Sequence, residues 1–189
     1  MKYKLTDETI TTNTGIVLHR IECVTAFSDV KVGEKGGWIE REENISQCDN
    51  CWVYGDAFVC ENAQVYGDAL VFGNAQVYGD AFVYGNARVY GDARVYGDAL
   101  VCGDALVCEN AQVYGNAVIG NSNDYIVFKN NWSSGRHFTW TSSNDMWKVG
   151  CFYGTGKELI EKAYKDSKLS GDCYKAYVEL VEKLKEIQK

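Results

Sequence analysis

The chain has 189 residues, with 19 basic and 26 acidic side chains, a net charge of −7, 46% hydrophobic residues and no proline. This balance fits a globular protein and excludes wholesale disorder. No apolar run approaches the roughly 20 residues needed to cross a bilayer. Met1-Lys2-Tyr3-Lys4-Leu5 leads into Thr and Asp, not into the apolar stretch of an export signal. A cytoplasmic protein without membrane contact is therefore expected.

Residues 1–50 contain short alternating stretches such as Ile16-Val17-Leu18-His19-Arg20-Ile21, broken by Gly33, Gly36 and Gly37. They predict a small β segment that covers one end of whatever follows. Eight cysteines are spread along the chain, and in a cytosolic protein free thiols are the default. Cys48-Asp49-Asn50-Cys51 supplies half of a zinc site. No second CxxC or paired histidine completes it, so no metal is expected.

From Cys51 to Asn121 the chain repeats every six residues as Ala-x-Val-Tyr-Gly-Asp/Asn. Val or Ile occupies twelve positions from 53 to 119 without a slip, and Ala precedes nearly every one by two residues. A period of six does not match the 3.6 of an α-helix face. It fits a short strand followed by a tight corner. Ala and Val point to one side of each strand, and Gly-Asp/Asn tolerates the left-handed backbone of the corner. Such strands are too short to stand alone, but stacked turns share one Ala/Val core, which makes the array a solenoid.

Units such as Ala75-Gln76-Val77-Tyr78-Gly79-Asp80 resemble the hexapeptide repeat of left-handed parallel β-helices. That resemblance implies three hexapeptides, or 18 residues, per coil. Twelve repeats then give about four coils, and the left hand is implied by the family. The wider layout is similar to the YdcK-like proteins of bacteria and phages, which are described as acyltransferases. The likeness runs through Lys2-Tyr3-Lys4-Leu5, Gly36-Gly37-Trp38-Ile39-Glu40 and the array. Trp147-Lys148-Val149-Gly150-Cys151-Phe152-Tyr153-Gly154-Thr155 looks like a segment of phage-encoded proteins. Related β-helices form trimers, so a homotrimer is implied.

An 18-residue coil makes vertical stacks that the residues themselves support. The corners read Asp56, Asn74, Asp92, Asn110; then Asn62, Asp80, Asp98, Asn116; then Asp68, Asn86, Asp104, Ser122. Only Asp80 and Asp98 place carboxylate on carboxylate, which is the arrangement that like charges disfavour. Outward aromatics fall into columns: Tyr54, Phe72 and Tyr90; Tyr78, Tyr96 and Tyr114; Tyr66 and Tyr84. These serve as ladders within the walls or as an oligomer face. Arg88 and Arg94 are the only basic residues between Arg41 and Lys129. With Tyr90 and Tyr96 beside them, they are candidates to hold a phosphate or carboxylate. Neutralising the acidic corners is the alternative.

Beyond the array, Tyr125-Ile126-Val127-Phe128 predicts a strand, and 136–141 with 146–152 predicts a hairpin. Thr155-x-x-Glu158 is a capping box that opens a helix over about 156–167. A second helix is expected over about 171–187. The predicted architecture is mainly β. It comprises a residue 1–50 β cap, a residue 51–122 left-handed parallel β-helix, and a residue 123–189 cap of hairpin plus two helices.

The family resemblance implies a coenzyme-A-dependent acyltransferase that uses a β-helix histidine as general base. The array contains no histidine. His19 lies in an alternating apolar stretch. His137 remains the only catalytic candidate, with Arg136 and Trp140 beside it as binding candidates. Gly154-Thr155-Gly156-Lys157 lacks the spacing of a phosphate loop. The array holds eight acidic residues against two arginines. The reading is thus a non-catalytic acidic solenoid without a cofactor that binds a protein partner or a small nucleotide-like ligand. Direct nucleic-acid binding is disfavoured, because phosphate contacts need Lys and Arg. Acyl transfer with acetyl-coenzyme A, and a purely structural trimer, are the alternatives.

Overall fold

Twelve two-residue strands, β4 to β15, occupy Trp52–Val53, Phe58–Val59, Gln64–Val65, Leu70–Val71, Gln76–Val77, Phe82–Val83, Arg88–Val89, Arg94–Val95, Leu100–Val101, Leu106–Val107, Gln112–Val113 and Val118–Ile119. Each pairs in parallel with the strand three along, so that Val71 lies on Val89 and Val89 on Val107. The 18-residue coil expected from the corners is the coil observed. The computed structural model describes residues 1–187, and the chain folds as two compact units, 1–124 and 125 onward.

In the first unit the parallel strands form three walls: β4-β7-β10-β13, β5-β8-β11-β14 and β6-β9-β12-β15. The Ala and Val side chains point inward and are essentially inaccessible. Each fully buried Val is worth about 1.5–3 kcal/mol over an exposed one. The glycine corners adopt left-handed backbone, as at Gly79 with φ +73°. A Cβ there would stand 2.9 Å from the Gly97 nitrogen of the coil above.

The solenoid begins earlier than the repeat. Strand β3 (Lys35–Ile39) pairs in parallel with β5, and Ile45 bridges in parallel to Val65. These contacts add a turn, giving about five where four were expected. The added turn is offset by 20 residues, Ile39 to Val59 and Ile45 to Val65. It therefore falls outside the hexapeptide period. Gly36 and Gly37 make it possible. A Cβ on Gly37 would sit 2.5 Å from the Ala57 carbonyl oxygen, and one on Gly36 2.7 Å from the Val53 carbonyl.

Strands β1 (Tyr3–Thr11) and β2 (Val17–Cys23) form an antiparallel hairpin that continues the second wall in the order β1-β2-β3-β5-β8-β11-β14. Lys2 is 5% exposed, and its ammonium donates to the Asp49 and Cys51 carbonyls at 2.8 Å each. Trp52 is fully buried, with Phe27 and Tyr3 edge-on to its ring.

The second unit opens with β16 (Tyr125–Lys129), β17 (His137–Thr141), β18 (Met146–Val149) and β19 (Phe152–Gly154) in one antiparallel sheet. The predicted 146–152 strand is broken at Gly150, which takes φ +55° and turns the chain back. Helices α1 (Gly156–Asp166) and α2 (Lys168–Ile187) follow, and α2 begins three residues before the expected start. Thr155 and Glu158 close the capping box reciprocally. Phe138, Trp140, Trp147, Leu159, Tyr174 and Val178 belong to the buried core between sheet and helices.

Candidate functional site

The corners show what the Asp and Asn residues do. Asn50 donates to Asp68, Asn62 to Asp80, Asn74 to Asp92 and Asn86 to Asp104, at 2.8–3.0 Å. Every bond runs from an Asn amide to a carboxylate one coil later. Among the described residues no three His, Cys, Asp or Glu side chains gather so as to hold a metal ion. All eight thiols are free.

The aromatic columns are stacked. Tyr66 and Tyr84 lie 4.9 Å apart and parallel, Phe72 and Tyr90 4.9 Å apart, and Tyr78 and Tyr96 4.8 Å apart. The Tyr96 hydroxyl reaches the Gln112 side-chain oxygen at 3.3 Å. Cys102 and Cys108 hydrogen-bond to Tyr84 and Tyr90, which raises both phenol pKa values.

The structure sets the two arginines apart. Arg88 and Tyr90 project from β10 on one wall, whereas Arg94 and Tyr96 project from β11 on the next. Arg88 has Leu70 and Leu106 as its column neighbours. Arg94 has Gln76 and Gln112.

Arg94 differs in a second way, because the β1–β2 hairpin covers part of its wall. Leu18, Trp38 and Cys60 form a buried cluster, with Ile16, Phe58 and Tyr78 packed against it. Beside this cluster runs a groove of about 470 Å³, bounded by the hairpin tip at Thr11–Thr14 and by Phe58, Gln76, Tyr78 and Arg94. The tip is internally tied. Ile16 N–H donates to Thr12 Oγ1 at 3.0 Å, and Thr12 and Thr14 hydroxyls meet at 2.9 Å. Asp56 and Glu61 also line the groove. Glu61 is already engaged, accepting from the Gly79 N–H at 2.7 Å.

Titration in this region is governed by burial. Desolvation raises the Tyr78 phenol while Arg94 opposes it. Desolvation, with Glu61 and Glu40 adding to it, pushes the Cys60 thiol up to about 12. Cys60 therefore stays protonated at neutral pH and is a poor nucleophile.

The remaining candidates lie in the second unit. His137 is half-buried at the start of β17, in register opposite Lys129. Among the described residues it has no carboxylate to orient its ring, the arrangement that a general base of this type uses. Arg136 is exposed. Trp140 is buried in the core, and its indole N–H donates to Asp145 at 2.8 Å. His19, in the hairpin, lies 3.2 Å from the Thr6 carbonyl through Nδ1.

Sequence reasoning missed the hairpin tip and Gln76 as groove residues. The alternation in 16–21 signalled a strand, but nothing local indicated which wall it would cover. It also missed Lys2, whose charge suggested the surface.

The family model for the YdcK β-solenoid repeat matches residues 63–79, 75–91, 81–97 and 93–109. A 60-residue stretch, 28% of the chain, is 37% identical to a protein of Escherichia coli strain K12 described as "Uncharacterized acetyltransferase YdcK". The match covers 18% of that relative's length. Among the described residues no helix is long and apolar enough to cross a membrane. Repeat and register make the first unit a parallel β-solenoid of hexapeptide type, and over residues 63–109 it is similar to the YdcK β-solenoid repeat.

Proposed function

We propose that this chain is a non-catalytic binding solenoid that acts in the cytoplasm as a homotrimer. The observation that carries the reading is the outer face of the third wall. There Gln64, Phe82, Leu100 and Val118 alternate with Tyr66, Tyr84 and Cys102, without a charge among them. A flat, uncharged, aromatic-rich face framed by carboxylate corners suits protein contact. Self-association through such a face leaves the acidic corners to meet a basic partner. A small nucleotide-like ligand is the other partner considered. The likeness of the closing segment to phage-encoded proteins supports a role against host machinery.

The second reading is acyl transfer with acetyl-coenzyme A, favoured by the name of the Escherichia coli relative. Against it stands an array without histidine, and a Cys60 held protonated.

Native mass spectrometry with and without acetyl-coenzyme A tests both. The binding reading expects a trimer that neither retains nor cleaves the coenzyme. It also expects affinity for a basic protein partner that drops steeply between 0.1 and 1 M salt, as screening shortens from about 10 to 3 Å. Turnover of acetyl-coenzyme A that His137→Ala abolishes would replace it with the enzyme reading. A monomer would remove the trimer.

A further inference from the structure

The groove beneath the hairpin tip is unlike the rest of the solenoid surface. It is the place where an outward wall gains a second side, and it joins an apolar floor to one cation. The column Phe58–Gln76–Arg94–Gln112 runs in register up this wall. Among the described residues, Arg94 makes no ion pair and no side-chain hydrogen bond. Its column neighbours are neutral amides, and the two carboxylates of the same groove, Asp56 and Glu61, form no ion pair with it. Several other basic side chains of this unit are committed, although among the described residues Arg88 and Lys31 are not. Arg20 donates to the Gly36 and Gly55 carbonyls, Arg41 to the Glu61 carbonyl and Asn62, and Lys35 pairs with Glu8.

We propose that this groove binds a small monocarboxylate with an apolar body. Its head takes the Arg94 guanidinium in the forked geometry that arginine offers a carboxylate. Its body lies over Tyr78 and Phe58, against Ile16 of the hairpin. Two strand spacings, about 10 Å, separate Arg94 from Phe58, and an extended eight-carbon acid bridges that interval. The charge of the site selects a monoanion. One guanidinium attracts the head, while Asp56 and Glu61 in the same groove repel every negative charge that enters, so each charge beyond the first adds repulsion with no second cation to offset it. A phosphate dianion or a polyphosphate therefore fits poorly. The hydroxyls and amide of Thr11–Thr14 stand where they can reach a polar substituent on the body.

This inference rests on the binding reading but is tested separately from it. Octanoate and octanamide are titrated into the full chain by calorimetry, with amide shifts mapped by NMR. Octanoate is expected to bind with shifts centred on Thr11–Thr14, Gln76 and Arg94. Arg94→Gln is expected to weaken octanoate by about ten- to a hundred-fold, the value of a charge-assisted hydrogen-bonded pair, while leaving octanamide unaffected. The thermal midpoint of the variant verifies that it folds. No octanoate binding at millimolar concentration overturns the proposal, as does binding that Arg94→Gln leaves unchanged or shifts that map elsewhere. If octanoate fails but a partner still binds, the groove is empty of this role and the binding reading stands. Turnover of acetyl-coenzyme A removes the binding reading whatever octanoate does.

Discussion

Replacing Asn86 by Asp changes one amide for a carboxylate of the same shape and asks how much a corner bond is worth. Asn86 donates to Asp104 at 2.9 Å across one coil, and both side chains are exposed. The substitution removes the donor, a loss of about 1 kcal/mol for a bond in contact with water. It also sets a carboxylate against both Asp68 and Asp104, one coil to either side, and each pair of charges roughly 4 Å apart costs about 1 kcal/mol in bulk water. The sum, about 3 kcal/mol, should lower the thermal midpoint by about 10–15 °C for a unit of this size. Calorimetry at pH 7 and at pH 3 separates the two parts. Acid that protonates these carboxylates removes the repulsion and leaves the lost bond. One molar salt should also trim the repulsion alone. The double variant Asn86→Asp with Asp104→Asn restores an amide beside a carboxylate on one side but leaves the repulsion from Asp68 in place, and should recover about two thirds of the loss. An unchanged midpoint for the single variant at pH 7, or a full loss that the double variant does not repair, would refute the account of the corners.

Three other outcomes follow from the same geometry. Gly79→Ala should destabilise the first unit by about 1–3 kcal/mol in chemical denaturation, because φ +73° and a 2.9 Å approach to Gly97 both oppose a Cβ. Iodoacetamide at pH 8 should label exposed Cys48 and Cys151 quickly and leave Cys60, pushed up to about 12 by burial, unmodified in intact-mass spectra. Thr155→Ala should cost about 1 kcal/mol through loss of the N-cap, read as helix fraying by circular dichroism. Hydrogen bonds from the Thr155 N–H and hydroxyl hold Glu158 below the usual carboxylate range. Its contribution is therefore present above that range and fades as the pH falls through the lowered value. Glu158→Gln should flatten this acid limb, and an unchanged limb would count against the box.

The array was legible because its information is one-dimensional. A valine every six residues fixes which side faces in, and the Asp/Asn alternation at 18 residues independently fixes the coil. The first turn was not legible, because Ile39 and Ile45 meet their partners at a spacing of 20 residues, held by two glycines that only the folded packing explains. The groove was half legible. Arg94 stood out as a rare cation, but so did Arg88, and the path of the hairpin that gives Arg94 a groove is not visible in the sequence. Trp140 and His137 looked like partners in the sequence. In β17 every residue after the first is buried, so the indole belongs to the core and the imidazole stays at the half-buried strand start. Lys2 lies beyond sequence reasoning altogether, since its burial depends on carbonyls 47 and 49 residues away.

The corner ladder also constrains how such a protein can change in length. Excising residues 69–86 would remove one coil and keep every valine in register. It would also bring Asp56 onto Asp92 and Asp68 onto Asp104, two new carboxylate pairs. Excising residues 69–104 removes two coils and brings Asp56 onto Asn110, Asn62 onto Asn116 and Asp68 onto Ser122, with no such pair. Excising residues 87–104 instead removes one coil and brings Asn74 onto Asn110, Asp80 onto Asn116 and Asn86 onto Ser122, again with no such pair. Hydrophobic register alone treats every coil alike, whereas the polar edge discriminates between coils of equal length. Which single coil can be lost is thus decided by the phase of the hydrophilic rim and not by the core.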